Sequence, residues 1–158
     1  MEVDAALASR VAQRTSFCQT PGHVARMPID AFQRELDTNP EFEMLVLRAV
    51  RTRAFMTEQL ATCNLKHTLV ERFARWLLMT RDRLERDEFD VTHEFLAMML
   101  GSRRAGVSQA AATLQTSGCI AYRRAIIRIL DGAALAARAC ECYAAERAAI
   151  EMCFRMND

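Results

Sequence analysis

At 158 residues, 51% of them apolar, the chain is long enough for one sizeable core or two small ones, and no run in it is long and apolar enough to span a bilayer. Twenty-one basic residues stand against 20 acidic ones, a formal charge of +1, so total charge gives no nucleic-acid signal and any such function must rest on local asymmetry. Only Lys66 among the basic residues is Lys, which reads first as codon bias and second as a choice of guanidinium.

In chain order, residues 15–20 and 23–27 read as two short extended pieces joined at a Pro21-Gly22 turn, followed by a short helix from about Ile29. Asp37-Thr-Asn-Pro40 marks a boundary: Pro40 suits the first helical position, and Glu41 and Glu43 suit the positive end of the helix dipole. A long helix is expected to about Ala61, with Phe42, Val46, Ala49, Met56 and Leu60 on one stripe, Arg53 interrupting it, and Leu45, Leu47 and Val50 widening it. Such a stripe serves either an amphipathic helix buried in its own domain or a helix that pairs with its copy. Thr68-Leu-Val-Glu71 is a capping box that predicts a helix from about Leu69 to Leu84, buried through Phe73, Trp76, Leu77 and Leu78. The acidic stretch from Glu85 to Asp90 then forms a connector, with an edge strand expected at 89–91.

Residues 92–130 read as helix, sharp turn, second helix and a two-stranded wing. Thr92 is a good N-cap; Leu96, Ala97 and Leu100 follow at helical spacing until Gly101, which can take the left-handed conformation that ends a helix. The second helix places Val107, Ala110, Ala111 and Leu114 on an apolar face, turns Arg104, Ser108 and Ala112 outward, and closes at Gly118. Five arginines (Arg103, Arg104, Arg123, Arg124, Arg128) and no acidic residue lie between Phe95 and Leu130, which concentrates a positive field on this segment. The wing tip is Arg124-Ala125, and because Ala is poor where positive φ is required, a wider tip is expected. Asp131 caps a last, alanine-rich helix expected to run unbroken from about Gly132 to Phe154, with a stripe of Leu135, Ala139, Cys142, Ala149 and Cys153.

Thr92, Leu96, Ala97, Leu100 and Gly101, then Arg104, Val107 and Leu114, resemble the helix-turn-helix signature of Crp/Fnr-family bacterial transcription regulators. The resemblance extends upstream through Cys63, Asn64, His67 and the run from Glu71 to Leu78, and downstream through Tyr122-Arg123-Arg124 to Cys140-Glu-Cys-Tyr143, about the last hundred residues in all. It implies a mainly α (α+β) chain in three parts. Residues 1–38 are a remnant of an effector-binding β-roll, 39–63 a long dimerisation helix with Phe42, Val46, Ala49, Met56 and Leu60 in its seam, and 64–158 a winged helix-turn-helix domain. The implied function is sequence-specific binding of a roughly palindromic double-stranded DNA site by a cytoplasmic homodimer, with RNA polymerase as a further candidate partner and no membrane. Candidate DNA contacts are Thr92, His93, Arg103, Arg104, Ser108, Gln109, Arg123 and Arg124. The family's usual Ser/Thr-Arg-Glu-Thr-Val opening is here Arg103-Arg104-Ala105-Gly106-Val107; Ala105 cannot accept a hydrogen bond from cytosine as glutamate could, so the family's common target sequence does not carry over. Nothing resembles the Gly-Glu and Arg-Ser/Thr-Ala phosphate cassette of relatives that hold cyclic nucleotide, so no such response and no cofactor is expected, and the chain reads as a truncated regulator.

Two alternatives remain open: a modulator that heterodimerises with a full-length relative, and a Cys/His metal or redox sensor. Cys63 and His67 share a helical face, but Cys140 and Cys142, two apart on the expected last helix, stand about 200° apart around it and are not expected to converge on one metal. The six cysteines (Cys18, Cys63, Cys119, Cys140, Cys142, Cys153) lack small-domain spacing and read as core residues of a reduced protein, and no metal is expected. No secretory signal is read in the short, acidic start Val3-Asp-Ala-Ala-Leu7. With no nucleophile, base and orienter in a motif, no Gly-rich phosphate loop and only His23, His67 and His93, no enzyme is expected.

Overall fold

The computed structural model describes residues 17–20 and 22–154; Thr15, Ser16 and Pro21 of the expected extended pieces lie outside them. Residues 17–20 and 22–28 form no strand, so the β-roll remnant contributes no sheet among the described residues. A two-stranded piece without further strands or a helix to cover it is marginal at best.

The described residues divide into two units, those up to Phe55 with those from Ile150 onward, and residues 56–149. In the first, α1 (Ile29–Thr38) begins after Pro28 and ends at Asn39. Asn39 then caps the next helix, its Oδ1 accepting from the Phe42 amide at 3.1 Å, and Phe32 meets Phe42 edge-on with ring centroids 5.2 Å apart. That helix, α2 (Pro40–Lys66), starts with Pro40 at its first position as expected and runs five residues beyond Ala61, its part after Phe55 belonging to the second unit.

In the second unit the Thr68 capping box is complete: Glu71 N–H donates to the Thr68 hydroxyl and the Glu71 carboxylate accepts from Thr68 N–H at 2.7 Å. The Thr68 hydroxyl, which also donates to the Glu71 carboxylate at 2.7 Å, and then the Thr68 amide hold the Glu71 carboxyl below its usual range. Helix α3 (Leu69–Leu84) buries Phe73, Ala74, Leu77 and Leu78 completely. Trp76, expected in the same core, is only half-buried, packed edge-on against Phe89 and Phe95. Strand β1 (Glu88–Asp90), helix α4 (His93–Met99), helix α5 (Arg104–Thr116), strands β2 (Ile120–Arg123) and β3 (Ile126–Ile129), and helix α6 (Gly132–Arg138) come next along the chain. The sheet is antiparallel in the order β1-β3-β2, so β1 is an edge strand, one residue earlier than expected. Its core joins α3 to Leu96, Leu100, Val107, Ala110, Ala111, Leu114, Ile120, Ile127, Ile129 and Leu135.

The last helix is not continuous. α6 ends at Arg138 with Ala139 extended, and α7 (Cys142–Phe154) begins afresh. Alanine-rich propensity favours one long helix, but propensity is a weak prior that packing overrides. One long-range link that accompanies the break is the buried ion pair of Arg75 on α3 with Glu146 on α7, 2.5 Å apart. Burial pushes the Glu146 carboxyl up even though Arg75 pulls it down.

Candidate nucleic-acid interface

The turn between α4 and α5 is built by local rules. Thr92 accepts from the Phe95 amide at 3.1 Å, and Gly101 takes φ +57° with nothing near its missing Cβ, so its role is conformational. Ser102 N–H then bonds the Ala97 carbonyl at 2.9 Å. Arg72 of α3 donates to the carbonyl of Leu100, tying the turn to the helix beneath it. Val107, Ala110, Ala111 and Leu114 of α5 are buried as expected, which leaves Arg104, Gln109 and Ala112 exposed.

The wing tip is narrower than expected. Arg124 and Ala125 form a two-residue turn, both at positive φ (52° and 63°), as hairpins of that length require. Alanine is held there because the Val91 amide donates to the Ala125 carbonyl at 2.7 Å. Tyr122 fixes the base of the wing: its hydroxyl donates to the Val91 carbonyl at 2.8 Å, its amide donates to Gln115 Oε1 at 3.0 Å, and its ring meets His93 edge-on at 4.6 Å. Tyr122, Gln115 and Arg72 position the interface but were not singled out by sequence reasoning as contacts; Tyr122 and Arg72 are half-buried amphipathic side chains, while Gln115 is exposed and carries no such signal.

An open cleft of about 380 Å³ is lined by Thr92, His93, Arg104, Tyr122, Arg123, Arg124 and Ala125. Five of the eight candidate contacts therefore share one concave surface, while Arg103, Ser108 and Gln109 lie outside it. Arg103 is exposed at the N-cap of α5 and makes no side-chain capping bond. Ser108 turns inward: its hydroxyl lies 3.1 Å from the Arg104 carbonyl and 3.2 Å from His93 Nδ1. With the single hydroxyl proton given to the carbonyl, Nδ1–H is the donor to Ser108. Burial, then the Arg104 charge, lowers the His93 pKa, so His93 is neutral at pH 7 and orients the cleft rather than adding charge. Arg128 is paired across the sheet with Glu88 at 2.7 Å, but no carboxylate holds Arg103, Arg104, Arg123 or Arg124 among the described residues.

A model of the Crp-like helix-turn-helix domain matches residues 71–138. Residues 71–138 thus form a Crp-like helix-turn-helix domain. Among solved structures it is similar to a protein from Eubacterium rectale assigned to the Crp/Fnr family of transcriptional regulators, at 23% identity and a TM-score of 0.56, covering 70% of this chain and 51% of that one. It is also similar to a transcriptional regulator of the CRP family from Thermus thermophilus, at 28% identity and a TM-score of 0.54, covering 72% and 55%. The chain thus spans about half the length of these proteins. No curated protein matches the sequence. The winged helix-turn-helix architecture expected from the sequence is the architecture of the Crp-like domain observed.

The second unit also carries a cluster that flanks the Crp-like match, and here the expectation is corrected. Because the helix breaks between Arg138 and Cys142, Cys140 lies in a turn, so the angular separation expected of one continuous helix does not apply. Cys63, His67, Cys140 and Cys142 come together with their ligand atoms all within 4.8 Å of one another. Cys63, Cys140 and Cys142 form a buried group of their own. Burial pushes the Cys63 thiol up, and burial with the neighbouring sulfurs pushes Cys140 up to about 12.

Proposed function

We propose that the Crp-like domain binds double-stranded DNA as a sequence-specific transcription regulator, with α5 in the major groove and the wing on the backbone. The observation that carries this reading is the set of guanidinium groups, Arg104, Arg123 and Arg124, without a carboxylate partner among the described residues and converging on one cleft that includes the start of the α5 helix. A guanidinium at the start of a groove-entering helix can bond two acceptors on guanine, and guanidinium groups on the wing can meet phosphates on either side. Arg104 is the base reader of this scheme; Arg103, Arg123 and Arg124 are phosphate contacts.

The protein acts as a two-fold dimer through α2, on half-sites whose centres lie roughly 34 Å apart, one helical turn of DNA. Of the seam residues, Val46 is buried within the chain, Phe42, Ala49 and Met56 are half-buried, and Leu60 is exposed. Met44 and Leu47 of the same helix are each half exposed and supply a further apolar face for a partner helix. Residues 1–158 carry no phosphate cassette, so this chain by itself should not bind cyclic nucleotide; a rise in its melting temperature with cyclic AMP or cyclic GMP would contradict this.

The test is a panel of single-base variants of a duplex selected by the wild-type protein from a random pool. Arg104→Ala should lose roughly 1 to 3 kcal/mol of discrimination at one base position per half-site and little elsewhere, with two chains bound per duplex. Equal loss on every variant, or one chain per duplex, would overturn the assignment.

A further inference from the structure

Four groups from separated stretches of the sequence meet where α2 ends and α7 begins. Cys63 Sγ and Cys140 Sγ are 3.6 Å apart, and Cys142 Sγ is 3.7 Å from His67 Nδ1. A tetrahedral zinc with Zn–S of about 2.3 Å and Zn–N of about 2.0 Å separates its ligand atoms by roughly 3.5 to 3.8 Å, so the two measured edges have the length one ion imposes. A four-iron cluster attaches its ligands to different iron atoms and would hold them further apart.

The surroundings are also those of a coordination site. His67 points Nδ1 at the sulfurs while its Nε2 lies 3.2 Å from the Glu141 carboxylate, the arrangement that fixes a ligating imidazole in one tautomer and raises its basicity. Gln59 Nε2 donates to Cys142 Sγ at 3.2 Å, a bond that a thiolate accepts better than a thiol. Cysteines serving only as small core hydrophobes account for burial, but not for an imidazole nitrogen aimed at them with a carboxylate behind it.

We propose that Cys63, His67, Cys140 and Cys142 bind one zinc ion per chain, a site that fastens the end of α2 to the turn between α6 and α7. Binding replaces three S–H bonds with three Zn–S bonds and releases three protons to solvent, leaving His67 neutral and no change in oxidation state. Glu141 is a positioning residue: it holds the imidazole and does not touch the ion.

The test uses the full 158-residue chain purified under reducing, anaerobic conditions, with metal content measured directly and cobalt(II) titrated into chelator-treated protein. About one zinc per chain is expected, with cobalt giving the intense visible bands of a tetrahedral site and sulfur-to-metal charge transfer, saturating at one equivalent and displaced by zinc. Cys140→Ser should abolish stoichiometric binding. Should that variant fold poorly, Glu141→Ala keeps all four ligands and changes only an exposed side chain, and its zinc affinity should fall about 10- to 100-fold. Any of three results would overturn the site: no stoichiometric ion and weak octahedral-type cobalt spectra, iron with acid-labile sulfide in place of zinc, or a Cys63–Cys140 disulfide in the freshly purified protein. None of these readouts depends on DNA binding.

Discussion

The cleft at the start of α5 and the cysteine–histidine cluster at the end of α2 belong to the same unit, yet they are built in opposite ways. The cleft takes its residues from 92–125, and many of its fixing bonds are caps, turns or hairpin pairs between near neighbours in sequence. The cluster is joined by contacts between residues 74 to 83 positions apart, from His67–Glu141 to Gln59–Cys142. The cleft leaves cations open to solvent; the cluster removes polar groups from it. A surface that must meet a ligand can be assembled by local rules on a stable base, whereas a buried polar site forms only once distant segments have docked. Its contribution therefore appears in stability as well as in binding.

The buried side of this comparison gives the largest expected effect. Arg75 and Glu146 have side chains only 7% and 2% exposed and tie α3 to α7, so Glu146→Ala strands a buried cation. Urea unfolding should register a loss of roughly 3 to 5 kcal/mol, most of it recovered in the double variant Arg75→Met with Glu146→Leu, which removes both charges. Were the single and double variants equally destabilised, the pair would not be what the α3–α7 contact depends on.

The same contrast decides what could be read from the sequence. The capping box at Thr68, the Thr92 cap, Gly101, the buried face of α5 and the two strands of the wing are short-range patterns, and each is found where the residues put it. Arg104, Arg123 and Arg124 were legible for the same reason, as exposed positions in an acid-free segment. The break after Arg138 was not legible, because no Gly or Pro marks it and alanine favours continuing; contacts of α7 with α3 and α2 accompany it instead. Once the helix is assumed continuous, Cys140 and Cys142 are placed on different faces and the cluster vanishes. Ser108 was misread more mildly: its position faces outward, but His93, 15 residues away, draws its hydroxyl in.

A smaller effect is expected on the exposed side. Ala125 stands at φ 63°, where a Cβ is strained, and its backbone bond to Val91 does not depend on the side chain. Ala125→Gly should therefore leave the wing in place and change stability by no more than about 1 kcal/mol, as relief of strain is offset by the freedom glycine gains when unfolded. A drop of several kcal/mol in thermal or urea unfolding would mean that the alanine methyl packs in the wing.

The most direct test of the DNA-binding assignment needs no knowledge of the target, because the phosphate contribution is independent of sequence: affinity for a duplex of arbitrary sequence measured by fluorescence anisotropy from low to moderate salt. Each phosphate contact contributes about 0.9 to the slope of log affinity against log salt, so replacing Arg103, Arg123 and Arg124 together with Ala should lower the slope by nearly three units per bound chain. An unchanged slope in that triple variant would contradict the account.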